Sequence, residues 1–366
     1  LSKKKKNKAK VVPEVVLVSD PNADVDDLLS FVMAAALADK GEIIWRGVMT
    51  TAGEPIVRLR RAHFAKGALI ELGYPFLTVC VGREYERCCE DDNFYFETPE
   101  VAALEGKSAA VRRNPCAFLH ELTAGAAENS LTLVVNATMV DVAAYLREIG
   151  AKALKKIRRI IIMGGYDTNA EGLVVPDGGS YNYKVNPQVA AEVFERAQTW
   201  GIRLVLVPRE IVYQVQVSAG FYQELGKRKN LLARTVCAAN GGFLEKLWAS
   251  VRGGKYSHFD IRRFAKVFLG EGYKISERAI NAHMSFAEVM PKIKYFNLYD
   301  VLTVLLTSED RVRPFIGYER VAADKNVFVP VIKDVDGLRS EMLNLLSDKL
   351  ADKKIVLKPR LLTEEK

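Results

Sequence analysis

Four of the eight residues from Asp20 to Asp27 are aspartates: Asp20, Asp24, Asp26 and Asp27. They follow the apolar run Val15-Val16-Leu17-Val18 and lead straight into an apolar helical pattern from Leu28 to Leu37. Carboxylates this close repel one another, so a folded chain needs a cation or several donors to hold them together. Hard oxygen donors suit Ca²⁺ or Mg²⁺ rather than a soft metal. A strand-to-helix turn is also where open α/β sheets bind ligands, beyond the carboxyl ends of their strands. The competing explanation is decoration of a helix N-terminus, where negative charge is favoured. One acid suffices for a cap, so the excess of carboxylates points to a metal site.

Further polar groups close later apolar runs. Met49-Thr50-Thr51-Ala52-Gly53-Glu54 ends the second, Asn136-Ala137-Thr138 follows the fourth, and Met163-Gly164-Gly165 follows the fifth. Ser180-Tyr181-Asn182 comes after a Gly-rich loop, and Asn297-Leu298-Tyr299-Asp300 opens an apolar helical stretch.

The elements that must carry these residues alternate along the chain. Short β-branched and aliphatic runs at 15–19, 43–50, 76–81, 131–135, 159–163 and 203–207 are expected strands. Helical patterns at 26–38, 56–72, 115–127, 140–149 and 187–200 fall between them. Near-continuous apolar strands alternating with helices predict an α/β fold with an open, mostly parallel, Rossmann-like sheet covered on both faces. After Val217 the pattern becomes helix upon helix to about Val289, giving a helical C-terminal part. Two β-type segments, 315–321 and 327–332, then precede a last helix at 335–350. One large domain over 13–351 is expected, between a basic tail (1–12) and a charged tail (352–366).

Composition narrows the setting. At 366 residues and 49% hydrophobic content the chain can bury a large core. No apolar run approaches the roughly 18 residues of a membrane span. The formal charge of +8 is partly local, because Lys3 to Lys6, Lys8 and Lys10 precede the first strand. That tail is expected to be disordered; contact with RNA or an acidic surface is one use for it, and simple solvation is the commoner one. Cys80, Cys88, Cys89, Cys116 and Cys237 are odd in number and lack paired metal spacing. A reducing intracellular compartment is therefore expected. Cytoplasm and mitochondrion are both compatible, a start at Leu1 leaving room for a removed presequence.

The ordered set of motifs resembles the inosine-uridine nucleoside hydrolases, Ca²⁺-dependent enzymes that cleave the N-glycosidic bond of ribonucleosides. Asp20 to Asp27 matches an Asp-Pro-x-x-Asp-x-Asp-Asp version of the family's opening turn. Met49 to Gly53 looks like its second-strand motif, and Ile162 to Gly165 like its Met-Gly-Gly segment. Asn182 to Pro187 looks like the stretch that contributes a ribose-binding asparagine, and Asp300 stands where a late metal-binding aspartate is expected. The resemblance spans roughly residues 14 to 335. It implies Asp20, Asp27, Asp300 and the Asn136 carbonyl as ligands of Ca²⁺, with Mg²⁺ as the alternative ion. It further implies Asp20 as the base that activates water, and Asp26, Asn182, Glu54 and Tyr299 around the substrate.

Departures from the family pattern accompany these matches. Glu54 replaces a usual Asn, Asn136-Ala137-Thr138 replaces a Thr-Gly-Gly-like turn, Ser180 replaces a Glu, and Tyr299 replaces a His. None of the histidines falls in a matched motif: His63 and His120 lie in helical patterns, while His258 and His283 lie in the helical region that could cap the site. The expectation is a nucleoside hydrolase of nucleoside salvage, with activity weakened or lost. The alternative is an inactive hydrolase-fold subunit of a larger assembly, organellar, RNA-associated or membrane-associated, or a homo-oligomer. A receiver-like or phosphatase reading would also place acids after the first strand, but the Thr and Lys motifs it needs on later strands are not found.

Overall fold

The computed structural model describes residues 11–22, 24–86, 95–108, 110–255, 259–270, 280–322 and 326–352. Residues 1–10 of the basic tail, Cys88, Cys89, His258 and the tail beyond Asp352 lie outside the described residues.

Twelve strands form among these residues. They are β1 Glu14–Ser19, β2 Ile44–Thr50, β3 Thr78–Val81, β4 Leu131–Val135, β5 Ile157–Met163, β6 Tyr166–Thr168, β7 Val174–Pro176, β8 Leu204–Val207, β9 Val217–Ser218, β10 Tyr295–Phe296, β11 Ile316–Arg320 and β12 Val327–Ile332. Eight of them make the main sheet in the order β11-β12-β8-β5-β4-β1-β2-β3. All neighbours in it run parallel except the edge pair β11 and β12. The expected open, mainly parallel sheet is present, with an antiparallel last strand.

Strand order reverses beside β1, which lies between β2 and β4. Such a switch point opens a crevice at the carboxyl ends of the strands. Register makes the crevice level: Ser19 pairs with Thr50, and Val18 with Val135. Asp20 and Thr51 therefore leave the sheet at one height, with Asn136 one residue behind, beside Ser19.

Alternation along β1 supplies both cores. Val15 and Leu17 point into one hydrophobic layer, Val16 and Val18 into the other. The helix Asp26–Asp39 is buried at every position from Asp26 to Leu37, as expected for a helix that is apolar all round. It packs against the helices Tyr299–Leu305 and Val335–Lys349. That packing carries Asp300 across the fold to the acid-rich turn.

Some boundaries differ from the sequence reading. β3 starts at Thr78 rather than at Phe76, whose side chain is 61% exposed. β5 begins earlier, at Ile157. A helix at Pro99–Gly106 was not expected; Thr98 caps it by accepting from the Val101 amide, and Pro99 sits in its first turn. Among the described residues no helix is long and apolar enough to cross a membrane.

Candidate active site

β1 delivers Asp20 into the crevice, and the turn and helix start that follow supply the other acids. Asn22 takes a left-handed conformation (φ +72°) that asparagine tolerates better than most residues. Its side-chain amide donates to the Phe96 carbonyl at 2.8 Å. Asp24, Asp26 and Asp27 then offer carboxylate oxygens that all lie within 4.8 Å of one another. Asp300 borders this trio, its backbone amide donating to Asp26 Oδ2 at 3.2 Å.

The electrostatics are severe. Burial, then the charges of Asp26, Asp27, Asp24 and Asp20, pushes the Asp300 carboxyl well above its ordinary range. Asp26 is raised by burial, then by Asp24 and Asp27, against a small opposing effect of the Asp300 amide. Asp27 is raised by burial, then by Asp20 and Asp24; a hydrogen bond from Ser19 and the nearby charge of Arg61 pull the other way. Three buried carboxyls of this kind are stable as anions only when a cation sits among them. All the donors are hard oxygens, which fits Ca²⁺ or Mg²⁺.

Asn136 and Asn182 knit the opposite wall. The Asn182 amide donates to the Asn136 main-chain carbonyl at 3.0 Å. Asn136 turns its own side chain toward the helix Tyr299–Leu305, where its Oδ1 accepts from the Thr303 hydroxyl at 2.7 Å. A carbonyl oxygen has two lone pairs, so the bond from Asn182 leaves Asn136 able to ligate an ion. The Ser180 hydroxyl accepts from the Gly165 amide at 2.9 Å, which fixes the Met-Gly-Gly turn.

The Thr51-Ala52-Gly53 turn is held by buried arginines. Arg61 Nη1 donates to the Thr51 carbonyl at 3.2 Å and lies 3.3 Å from Asp20 Oδ2. Arg58 Nη1 donates to the Gly53 carbonyl at 2.6 Å. Ala52 is held at φ +65°, a conformation that costs a non-glycine residue on the order of 1–3 kcal/mol. Glu54 is exposed at the N-terminus of the helix Pro55–Glu71. Tyr299 packs edge-on against Tyr213, with ring centroids 6.1 Å apart.

The described histidines have other surroundings. His63 bonds the Ser108 hydroxyl, His120 pairs with Glu148, and His283 is exposed. Three site members were missed by sequence reasoning. Asp24 was visible in the motif but assigned to no ligand. Arg61 lies in Arg58-Leu59-Arg60-Arg61, a pattern that looks like a solvated helix face. Tyr222 comes from the helical region; burial, then the charges of Asp26 and Asp24, raises its hydroxyl well above the ordinary value, and no local signal marks it.

The fold and these residues can be set beside known proteins. The sequence profile described as "Inosine-uridine preferring nucleoside hydrolase" matches residues 15–338, and the chain belongs to that family. A crystal structure of the type III effector protein XopQ complexed with adenosine diphosphate ribose is similar, with TM-score 0.81 and 25% identity over 94% of this chain and 96% of that one. The effector protein XOO4466 is similar at TM-score 0.79 and 26% identity, covering 94% and 95% of the two chains. The inosine-uridine preferring nucleoside hydrolase from Bacillus anthracis shares the fold, at TM-score 0.53 and 16% identity over 91% and 99%. No match was found among curated proteins.

Proposed function

We propose that this site binds a divalent cation, Ca²⁺ in the first place, together with a ribosyl group, and that it hydrolyses N-ribosidic bonds slowly. The observation that carries the proposal is the set of buried, mutually repelling carboxyls Asp26, Asp27 and Asp300 at the switch point of a nucleoside hydrolase fold. Asp20, Asp27, Asp300 and the Asn136 carbonyl hold the ion, with Asp24 and Asp26 beside it. A cation held there would supply Lewis acidity toward water and toward the hydroxyl oxygens of a sugar. The ADP-ribose bound to the similar XopQ contains such a sugar, which supports a ribosyl ligand here.

The chain's own residues then divide the work. Asp26 and Asn182 orient the sugar hydroxyls. Asp20 accepts a proton from a water as that water's oxygen bonds to C1′; the C1′–N bond breaks, and the base leaves with the electron pair and takes a proton from solvent. Glu54 is exposed and Ser180 is engaged with Gly165, so neither supplies the ribose contacts that the family pattern provides. Slow turnover follows. Ca²⁺ titration calorimetry at neutral pH, paired with an assay of free base released from inosine and uridine, tests the proposal. Binding should vanish in the Asp27→Ala, Asp300→Ala double variant, and release should vanish in Asp20→Ala. An unchanged titration in the double variant overturns the metal assignment; intact binding with no turnover on any nucleoside leaves a binding protein in place of an enzyme.

A further inference from the structure

A basic cavity opens between the helical turn after β8 and the helix Ile261–Phe268. Its volume is about 550 Å³, and Arg209, Arg262, Arg263, Lys266 and Tyr213 line it. Two acids share the lining, and both are engaged: Glu210 pairs with Arg209 at 3.0 Å, and the Asp260 carboxylate caps the helix Ile261–Phe268 by accepting from the Arg263 amide at 2.8 Å. Four cations against two acids leave the cavity a formal excess of two positive charges. Arg262 and Lys266 stand exposed one turn apart on that helix.

Two contacts join this cavity to the acid cluster. Tyr213 lines it and packs on Tyr299, the residue before Asp300. Arg209 reaches the loop that leads through Ser180 into the short helix Tyr181–Lys184, which carries Asn182: a Cβ at Gly179 would meet Arg209 Nη2 at 3.1 Å. Glycine at 179 thus lets the guanidinium lie close to the backbone leading into the ribose wall. Arg209 thus touches both the backbone before Ser180 and the cavity that Arg262 and Lys266 line.

From this continuity we infer that the ligand is a nucleotide rather than a free nucleoside, its ribose on the acid cluster and its phosphate or diphosphate in the basic cavity. The inference rests on the ribosyl site proposed above. Arginine suits the task because its planar fork pairs with two phosphate oxygens at once. A cation on the ribose side and guanidinium groups on the phosphate side divide the recognition of a polyanion that a neutral nucleoside would leave half unused.

The test compares inosine with inosine 5′-diphosphate, titrated into the full chain in Ca²⁺ at low salt. The diphosphate should bind at least tenfold more tightly, and the double variant Arg262→Glu, Lys266→Glu should lose that advantage while its Ca²⁺ affinity stays unchanged. Both positions are exposed, so the variant should fold; matching circular dichroism and melting curves check this. Equal affinities for the two ligands in the unaltered protein, or a preference that survives the double variant, overturns the inference and leaves the ribosyl site standing. Diphosphate binding that ignores both Ca²⁺ and Asp27→Ala shows an anion site unconnected to the acid cluster, which overturns the inference, while Ca²⁺-dependent binding of inosine decides the ribosyl reading separately. Failure of both ligands to bind overturns the inference and the ribosyl reading together.

Discussion

The side-chain amide of Asn182 donates to the main-chain carbonyl of Asn136 across 3.0 Å, tying the short helix Tyr181–Lys184 to the end of β4. A residue matched to sugar binding therefore also fixes the position of a proposed metal ligand. Asn182→Leu should cost about 0.5–1.5 kcal/mol of stability through the lost bond. It should also weaken Ca²⁺ binding, because the carbonyl is no longer held. Urea denaturation and calorimetry on the same variant check the two effects, and a stability change without any change in Ca²⁺ affinity would separate them.

Arg61 is fully buried against Asp20 and the Thr51 carbonyl. Removing one partner of a buried ion pair leaves a charge without compensation, at a cost of about 3–5 kcal/mol. Arg61→Met is therefore expected to be among the most damaging single changes in the chain. Denaturant unfolding should show it, and a loss below about 1 kcal/mol would mean that Asp20 relies on other partners.

Cation binding should appear as thermal stability. Ca²⁺ at a hundredfold excess over its Kd adds about 2.7 kcal/mol, enough to raise the melting temperature by a few degrees. The Asp27→Ala, Asp300→Ala double variant should show no such response to Ca²⁺ or to chelator. It should also melt above the chelated parent at neutral pH, since two of the repelling charges are gone.

Asp141 gives a pH dependence separate from the acid cluster. It is buried at the start of the helix Val140–Glu148, where burial raises its pKa from 3.8 to about 6 despite the Arg83 amide and guanidinium. A carboxyl raised on folding binds its proton more tightly in the native state. It costs nothing below the unfolded value, and its full cost applies above the folded one. Asp141→Asn should therefore stabilise the protein above pH 6, by up to about 3 kcal/mol at 1.36 kcal/mol per pKa unit. The gain should shrink as pH falls from 6 toward 4. Melting curves across that range test the sign.

Turnover should be low. A lost hydrogen bond to a charged group costs about 1.5–3 kcal/mol, and two such losses at Ser180 and Glu54 slow the reaction by roughly two to four orders of magnitude. Release of base from inosine or uridine at about 10 s⁻¹ would show that other residues have replaced them.

Features encoded within one stretch of chain could be read from sequence. The run Val15 to Val18 ending in Asp20, and the all-apolar helix behind Asp26 and Asp27, carry their own period and punctuation. The parallel sheet followed from the alternation of such units. What escaped depends on contacts between distant segments. Arg61 looks solvated until the packing of the helix Pro55–Glu71 buries it. Tyr222 feels the charge of Asp26 only through the arrangement of the C-terminal helices. The antiparallel course of β11 against β12 has no period to distinguish it from a parallel pair. Phe76 has the right chemistry for a strand but lies before the point where β3 finds its partner at Gly47.

Asp300 meets Asp26 across 274 residues of chain. A chain leaving the ribosome presents β1 and its acid-rich turn long before the helix Tyr299–Leu305 has been made. Until that helix docks, the turn lacks a member of its proposed ligand set, and the long loop must close without help from it. On the proposed ligand set, cation uptake would be a late event in biogenesis, and a chain cut short before Asp300 would hold Ca²⁺ poorly however well its sheet forms. The ion would serve as a mark of completed synthesis, distinguishing finished molecules from fragments that look folded at one end.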